Sequence, residues 1–100
     1  MHDEIFGPVI TIRTYDDISE VIQSVRASPH GLGGYVAGRD IGRAAAVGRA
    51  LDVGIVGINT ATPNTPQVPF AGLGLSGLGV EGSELGLEAF LAPQTLAIAR

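Results

Sequence analysis

Apolar and polar positions follow two different periods along the first sixty residues, and these periods predict alternating strands and helices. Residues 8–15 are rich in β-branched side chains and follow a Gly-Pro break, which predicts a strand. Apolar residues then recur at helical spacing between the acidic cap candidate Asp17 and Pro29, which predicts a helix ending near Ser28. Residues 35–37 predict a short second strand.

The centre of the chain continues the alternation. Asp40 is predicted to cap a second helix that runs to about Leu51. The residues expected on its inward side are Ile41, Ala44, Ala45 and Val47. Residues 53–58 are apolar without polar alternation, which predicts a strand covered on both faces. This order predicts an α/β fold with a mainly parallel sheet and flanking helices.

The pattern changes at Asn59. Residues 59–82 contain three prolines and five glycines and show neither a helical nor a strand period. A structureless stretch of this length is uncommon in a compact domain unless it is functional. Beyond it, Ser83 is predicted to cap a short helix that ends before Pro93, and residues 95–99 predict a final edge strand.

Residue usage excludes several kinds of chemistry. The 100 residues contain no Cys and no Lys, so the chain has no cysteine nucleophile, thiolate metal site, Schiff base or P-loop lysine of its own. Acids outnumber bases by 10 to 6 and the arginines are scattered, which disfavours nucleic acid and anionic membranes as partners. No apolar stretch is long enough to span a bilayer, and the acidic N-terminus is unlike a signal peptide, which favours a cytoplasmic location.

Two overlapping stretches, residues 72–77 and 77–82, match the pattern G-x-G-x-x-G. A dinucleotide fingerprint requires a strand directly before the glycines, a helix after them and an acidic residue about 20 positions on. A proline-rich segment precedes these glycines, so we interpret them as residues that supply positive φ angles and close packing. Ser76 lacks a nearby base and is interpreted as a turn residue. His2 and His30 lack ligand spacing, so no metal site is expected.

Three further positions have polar or aromatic groups suited to a binding site. The Glu4 carboxylate can accept hydrogen bonds from a sugar diol, and the Phe6 ring can pack on a flat heterocycle. Taken singly, such residues are more often a surface acid and a core aromatic. Asn59 either forms a turn or directs its amide into a site, and the sequence slightly favours the turn.

A series of motifs runs through the chain in a specific order and spacing. They are Asp3-Glu4-Ile5-Phe6-Gly7-Pro8, Ser28-Pro29-His30-Gly31-Leu32, Gly57-Ile58-Asn59, Pro69-Phe70-Ala71-Gly72 and Ser76-Gly77-Leu78-Gly79-Val80-Glu81-Gly82. Together they resemble the C-terminal part of the NAD(P)-dependent aldehyde dehydrogenase family, over essentially the whole chain. The sequence departs from the family pattern at Ala71, Gly74 and Val80, where Gly, Lys and Arg are common, and these changes affect the expected packing of the loop.

The resemblance implies roles for individual residues. Glu4 corresponds to the residue that binds a ribose hydroxyl pair of NAD or NADP, and Phe6 to the one that contacts the nicotinamide region. The segment from Asn59 to Phe70 resembles the lining of the aldehyde entrance, with Phe70 facing the substrate. Residues 1–93 would form a C-terminal segment of the catalytic domain, and residues 94–100 an edge strand that pairs with a neighbouring subunit.

The family's chemistry also requires a Cys nucleophile, a Glu general base and a nucleotide-binding domain, all upstream of the matched region. We therefore expect a fragment that is inactive and binds no cofactor tightly alone. Its expected partners are the missing N-terminal dehydrogenase portion and further copies of itself. The alternative is a non-enzymatic remnant or assembly module that binds a homologous chain. A free-standing nucleotide-binding protein is disfavoured by the context of the glycines.

Overall fold

The computed structural model describes residues 5–99. In this range the chain forms three helices and six short strands. The helices are α1 (Ile18–Arg26), α2 (Ile41–Ala50) and α3 (Ser83–Glu88). The strands are β1 (His30–Gly31), β2 (Gly33–Val36), β3 (Ile55–Ile58), β4 (Phe70–Ala71), β5 (Leu73–Gly74) and β6 (Val80–Glu81). The α/β class predicted from the sequence is confirmed.

The first helix begins where the sequence predicts it. The Asp17 carboxylate accepts a hydrogen bond of 2.8 Å from the backbone N–H of Ser19, which satisfies one of the free donors of the first turn. The helix is capped at Ala27, shortly before Pro29. At this end the Arg26 Nε donates to the Ala50 carbonyl at 3.0 Å, which connects α1 to the end of α2.

The unit β2–α2–β3 contains the longest strand pair of the described residues. Its two strands are parallel, with register from Gly33↔Ile55 to Val36↔Ile58, as the strand–helix–strand order predicts. Helix α2 covers one face of this pair, and Ala44 on the helix is only 4% exposed. No helix among residues 5–99 covers the other face. For this reason β3 is half-buried apart from Gly57, and the prediction that it is covered on both faces is wrong for the described residues.

The capping of α2 also follows the sequence. The Asp40 carboxylate accepts a 2.9 Å hydrogen bond from the N–H of Arg43. Ile41 was expected to face inward, and that expectation is wrong: its side chain is 59% exposed. It is the first helical residue and precedes the turns that pack on the strands, which place Ala44 and Gly48 inside.

The segment 59–82 contains strands that no period revealed. β1 pairs with β5, and β4 pairs with β6, both antiparallel and each over two residue pairs. Parallel pairing therefore accounts for the longest ladder but not for the other two. Within residues 5–99 the strands form three separate pairs, and the parallel β2–β3 pair is the longest of them.

Two predicted strands are absent from the described part of the chain. Residues 8–15 and 95–99 form no strand, and their apolar side chains are open, with Ile12 91% and Leu96 82% exposed. A strand requires a neighbouring ladder for its backbone groups. The expectation of a strand at residues 8–15 is therefore wrong for the described residues, whereas pairing of residues 94–100 with a neighbouring subunit stays a prediction.

The third helix begins one residue away from the predicted cap. Gly82 occupies the N-cap position with a φ of 69°, and Ser83 is the first helical residue. The Ser83 hydroxyl accepts a hydrogen bond of 3.2 Å from the N–H of Leu85. The helix ends at Glu88, before Pro93 is reached.

Candidate functional site

The carboxyl ends of β2 and β3 lie side by side because the two strands are parallel. Ligands of open α/β sheets bind at this end of the strands. A cavity of about 430 Å³ opens here. Its lining residues are Tyr35, Val36, Ala37, Asn59, Thr60 and Ala61. A second cavity, of about 320 Å³, lies between the carboxyl end of β2 and α2, and Arg39 and Arg43 are among its lining residues.

Asn59 combines both functions that the sequence left open. Its φ of 54° turns the chain directly after β3, while its N–H continues the ladder to the Val36 carbonyl at 3.0 Å. Its side-chain amide binds the backbone of Gly38 twice: Nδ2 donates to the carbonyl at 2.9 Å, and Oδ1 accepts from the N–H at 2.8 Å. One Nδ2 hydrogen and one Oδ1 lone pair remain for other partners at the cavity.

Tyr35 is a site residue that the sequence analysis did not single out. Its ring lies along the strand pair on the face away from α2, and an added Cβ at Gly57 would lie 2.8 Å from the ring carbon Cδ1. Gly33 lies near the hydroxyl end of the same ring. Tyr35 is 62% exposed, so it forms an accessible aromatic wall of the cavity. The feature that could have identified Tyr35 is a pair of glycines, Gly33 and Gly57, which lie on the same face of the parallel strand pair as its ring.

Phe70 lies in β4 and is half-buried, with Glu81 as its partner in β6. It lines a third cavity, of about 240 Å³. The other lining residues are Asn64, Thr65, Pro66, Glu81 and Gly82. Asn59 and Phe70, both expected at the aldehyde entrance, therefore line different cavities in the described part of the chain.

The two residues expected at the cofactor lie in the N-terminal segment. Phe6 is 94% exposed, and it is absent from the linings of the three cavities above. Its ring therefore presents both faces for contact with a flat heterocycle. Glu4 lies outside the described residues.

The glycine-rich repeats have the geometry of a loop. Strand β5 lies inside the first G-x-G-x-x-G stretch and β6 inside the second, so neither stretch joins a preceding strand to a following helix. The glycines with positive φ are Gly74, Gly77, Gly79 and Gly82, which confirms the conformational function expected of them. Ser76 lies in a turn, as expected, and its hydroxyl accepts a 2.9 Å hydrogen bond from the N–H of Gly31.

The Asp17 carboxylate at the start of α1 has a structural function. The hydrogen bond from the Ser19 N–H lowers the pKa of the Asp17 carboxyl from its ordinary value of 3.8, and this residue serves as a helix cap. Between residues 5 and 99, no group of three acidic or histidine side chains converges as a metal site would require. In the same range, every helix is too short or too polar to cross a lipid bilayer.

Comparison with known proteins places these features in a family context. The family model described as "Aldehyde dehydrogenase family" matches residues 1–96. A putative aldehyde dehydrogenase of Staphylococcus aureus strain USA300 is 42% identical over 95 residues, which are 95% of this chain and 20% of that protein. The chain therefore spans about a fifth of the length of the curated relatives it matches.

Solved structures give the same result. Betaine aldehyde dehydrogenase of Staphylococcus aureus in complex with NAD+ is similar with a TM-score of 0.85 and 40% identity, covering 91% of this chain and 18% of that one. The indole-3-acetaldehyde dehydrogenase AldA of P. syringae, in complex with NAD+ and IAA, is similar with a TM-score of 0.81 and 33% identity. That match covers 87% of this chain and 18% of the other.

Proposed function

Because the chain belongs to the aldehyde dehydrogenase family, we propose that it is the C-terminal segment of an NAD(P)-dependent enzyme that oxidises aldehydes to carboxylates. The observation that carries this proposal is the match along residues 1–96, together with the small share of each relative that the chain spans. The remaining N-terminal dehydrogenase portion is the proposed partner.

The residues present in this chain determine which parts of the reaction it can support and which the N-terminal portion must supply. This chain has no Cys, so the thiolate that attacks the aldehyde must come from the partner portion. NAD(P), when bound, accepts the hydride. Within this chain, Glu4 is the proposed ligand of a cofactor ribose, and the exposed ring of Phe6 fits contact with the nicotinamide region. Asn59 and Phe70 are proposed to line the aldehyde entrance.

The exposed apolar surface supports association with other polypeptide. Many large apolar side chains are open in this chain, including Ile10 at 87% and Phe90 at 88%. We assign residues 1–93 to the catalytic domain and residues 94–100 to an oligomerisation strand. The complete enzyme is proposed to act in the cytoplasm as a homo-oligomer.

A second function is favoured by one specific observation, the unpaired apolar segment 95–99. Unpaired strand edges are templates for pairing with another chain. On this basis the chain would be an assembly module that binds a homologous chain without catalysis. Complementation distinguishes the two functions, because only the first requires restored oxidation of an aldehyde.

The test is to combine this chain with the N-terminal part of the Staphylococcus aureus relative, ending where the match to this chain begins. We expect a complex that reduces NAD+ in the presence of an aldehyde, while neither part does so alone. Replacing the nucleophilic Cys of the N-terminal part by Ser must abolish the activity. A stable complex without activity would favour the assembly module, and the absence of any complex would contradict both functions.

A further inference from the structure

Two polar side chains hydrogen-bond the segment that contains Phe70 to the backbone before and after β2. The Asn59 amide binds Gly38, just beyond the carboxyl end of β2, and the Ser76 hydroxyl binds Gly31, just before its amino end. The segment 59–76 is therefore attached at two points that lie on opposite ends of the same strand.

The attachment at Ser76 is partly shielded from water. Gly31 is buried, and its N–H donates to the Ser76 Oγ at 2.9 Å. The neighbouring Leu75 N–H donates to the Pro29 carbonyl, also at 2.9 Å. An added Cβ at Gly72 would lie 2.6 Å from the Ser76 carbonyl carbon, so the turn from Gly72 to Ser76 is closely packed. Loss of the Ser76 hydroxyl would remove one hydrogen bond from the Gly31 N–H, which also belongs to the β1–β5 pair.

Between the two hydrogen-bonded points, the segment packs closely against Gly54, the residue directly before β3. The Ala71 carbonyl lies so close to Gly54 that a side chain on Gly54 would collide with it. Phe70 is the residue directly before Ala71, and its backbone is held in the β4–β6 pair. The place of the Phe70 ring thus depends on the two flanking attachments and on this contact.

We propose that Asn59 and Ser76 are positioning residues that fix the location of Phe70. Since Phe70 faces the substrate only if the proposed function is correct, the catalytic meaning of this inference rests on that proposal. Its structural content is independent of that proposal: the location of Phe70 is set within this chain. The N-terminal portion then contributes chemistry without determining where Phe70 lies.

Fluorine NMR of the full chain labelled with 4-fluorophenylalanine tests the structural content. The chain has three Phe residues, and Phe6 and Phe90 are 94% and 88% exposed, so they serve as internal references for Phe70. We expect Ser76→Ala to shift or broaden the Phe70 resonance alone. Ser76→Thr retains a hydroxyl and should restore the resonance. Ser24→Ala, on the exposed side of α1, is the matched control and should change nothing.

A test of Asn59 requires a variant that keeps the positive φ of the turn but removes the side-chain amide. Asn59→Gly keeps the positive φ without strain but removes both hydrogen bonds to Gly38. We expect it to change the Phe70 resonance as Ser76→Ala does, with faster amide exchange at Gly38. Amide hydrogen exchange in α2 is measured alongside, because it reports global unfolding. If α2 is unaffected and Phe70 is unchanged in both variants, the inference is overturned.

The complemented enzyme provides a second readout. Loss of one neutral hydrogen bond at Ser76 should raise KM for the aldehyde by roughly two- to tenfold, with kcat nearly unchanged. Ser76→Thr should restore the wild-type KM. A fall in kcat with KM unchanged would contradict a positioning function at the entrance. If complementation yields no activity, the proposed function fails, while the NMR result still decides whether Asn59 and Ser76 position Phe70.

Discussion

Gly48 of α2 lies directly against Val56 of β3, and an added Cβ at Gly48 would be 2.9 Å from Val56 Cγ1. The helix and the strand approach so closely only because this position has no side chain. Val56 is β-branched, and its stiff side chain cannot easily move away. Glycine at this position therefore sets the distance between α2 and the parallel strand pair.

Gly48→Ala should destabilise the chain by about 1–2 kcal/mol, since overpacking outweighs the better helix propensity of Ala. Gly42→Ala in the same helix is the matched control, because the nearest atom to an added Cβ there is Asp40 Oδ1 at 3.4 Å. That variant should be neutral or stabilised by up to about 1 kcal/mol. Urea unfolding followed by circular dichroism measures both. Equal stability of the two variants would contradict the packing argument.

The cap of α1 should make this helix sensitive to acid. The Ser19 N–H lowers the pKa of Asp17 below 3.8, so the contribution of its carboxylate is fully present above pH 3.8. The contribution is lost as the pH falls through the lower, folded-state pKa. Helical circular dichroism from neutral pH to about pH 2 should therefore fall more steeply for the wild type than for Asp17→Asn, which caps without titrating.

Asp17→Ala provides the complementary result. Alanine cannot accept the hydrogen bond from Ser19, so the helical signal should be lower at every pH and should lack the step due to this residue. The three proteins are otherwise identical, so contributions from other residues cancel in the comparison. Identical acid profiles for wild type and Asp17→Asn would show that this carboxylate does not stabilise the helix.

The isolated chain should neither oxidise aldehydes nor bind the cofactor appreciably. Its missing Cys removes the nucleophile. The residues proposed to bind the cofactor, Phe6 and Glu4, would supply only one edge of its site. A charged hydrogen bond contributes about 1.5–3 kcal/mol, against an association cost of at least ~4 kcal/mol. Calorimetry should give a Kd weaker than about 1 mM for NAD+ and NADP+. Production of NADH by protein free of host enzymes, or tighter binding, would contradict this prediction.

The C-terminal segment should drive association of the chain. Residues 95–99 expose Leu96 and Ile98 at 82% and 80% and lack the charges that protect strand edges. Deleting residues 94–100, or introducing Ala97→Lys, should weaken the assembly seen by light scattering. Glu84→Lys on α3 is a charge control that should leave the assembly unchanged. A monodisperse wild-type chain of 10.2 kDa, unaltered by the deletion, would contradict the prediction.

The sequence allowed the β2–α2–β3 unit to be predicted because its signals are local. Asp40 caps its helix and Ala44 packs within one short stretch of chain, so periodicity and capping suffice. The segments 8–15 and 95–99 have strand composition, yet a strand forms only beside a partner, and composition cannot supply one. The antiparallel pairs at Phe70 and Leu73 are two residues long, which is too short for a strand periodicity to be detected in the sequence.

The candidate site was predictable only in part, for a different reason. Asn59 was identified from its place at the end of a buried strand, but its two bonds to Gly38 join residues far apart in sequence. The same holds for Ser76 and Gly31. Tyr35 escaped notice because an aromatic residue in a short strand is usually part of a core. The glycines beside its side chain, Gly33 and Gly57, are brought to one face of the strand pair by the parallel register, which the sequence alone does not give.

The register of the strand pairs also sets an order for folding. In the β1–β5 pair, His30 and Gly74 are about twice as far apart along the chain as Gly33 and Ile55 in the β2–β3 pair, and each such doubling of a loop costs about 0.6 kcal/mol in closure entropy. Contacts that close shorter loops form earlier in folding. The parallel pair and its helix should therefore act as the nucleus, and the segment bearing Phe70 should join it late. Substitutions at Ser76 would then speed unfolding and leave the folding rate nearly constant.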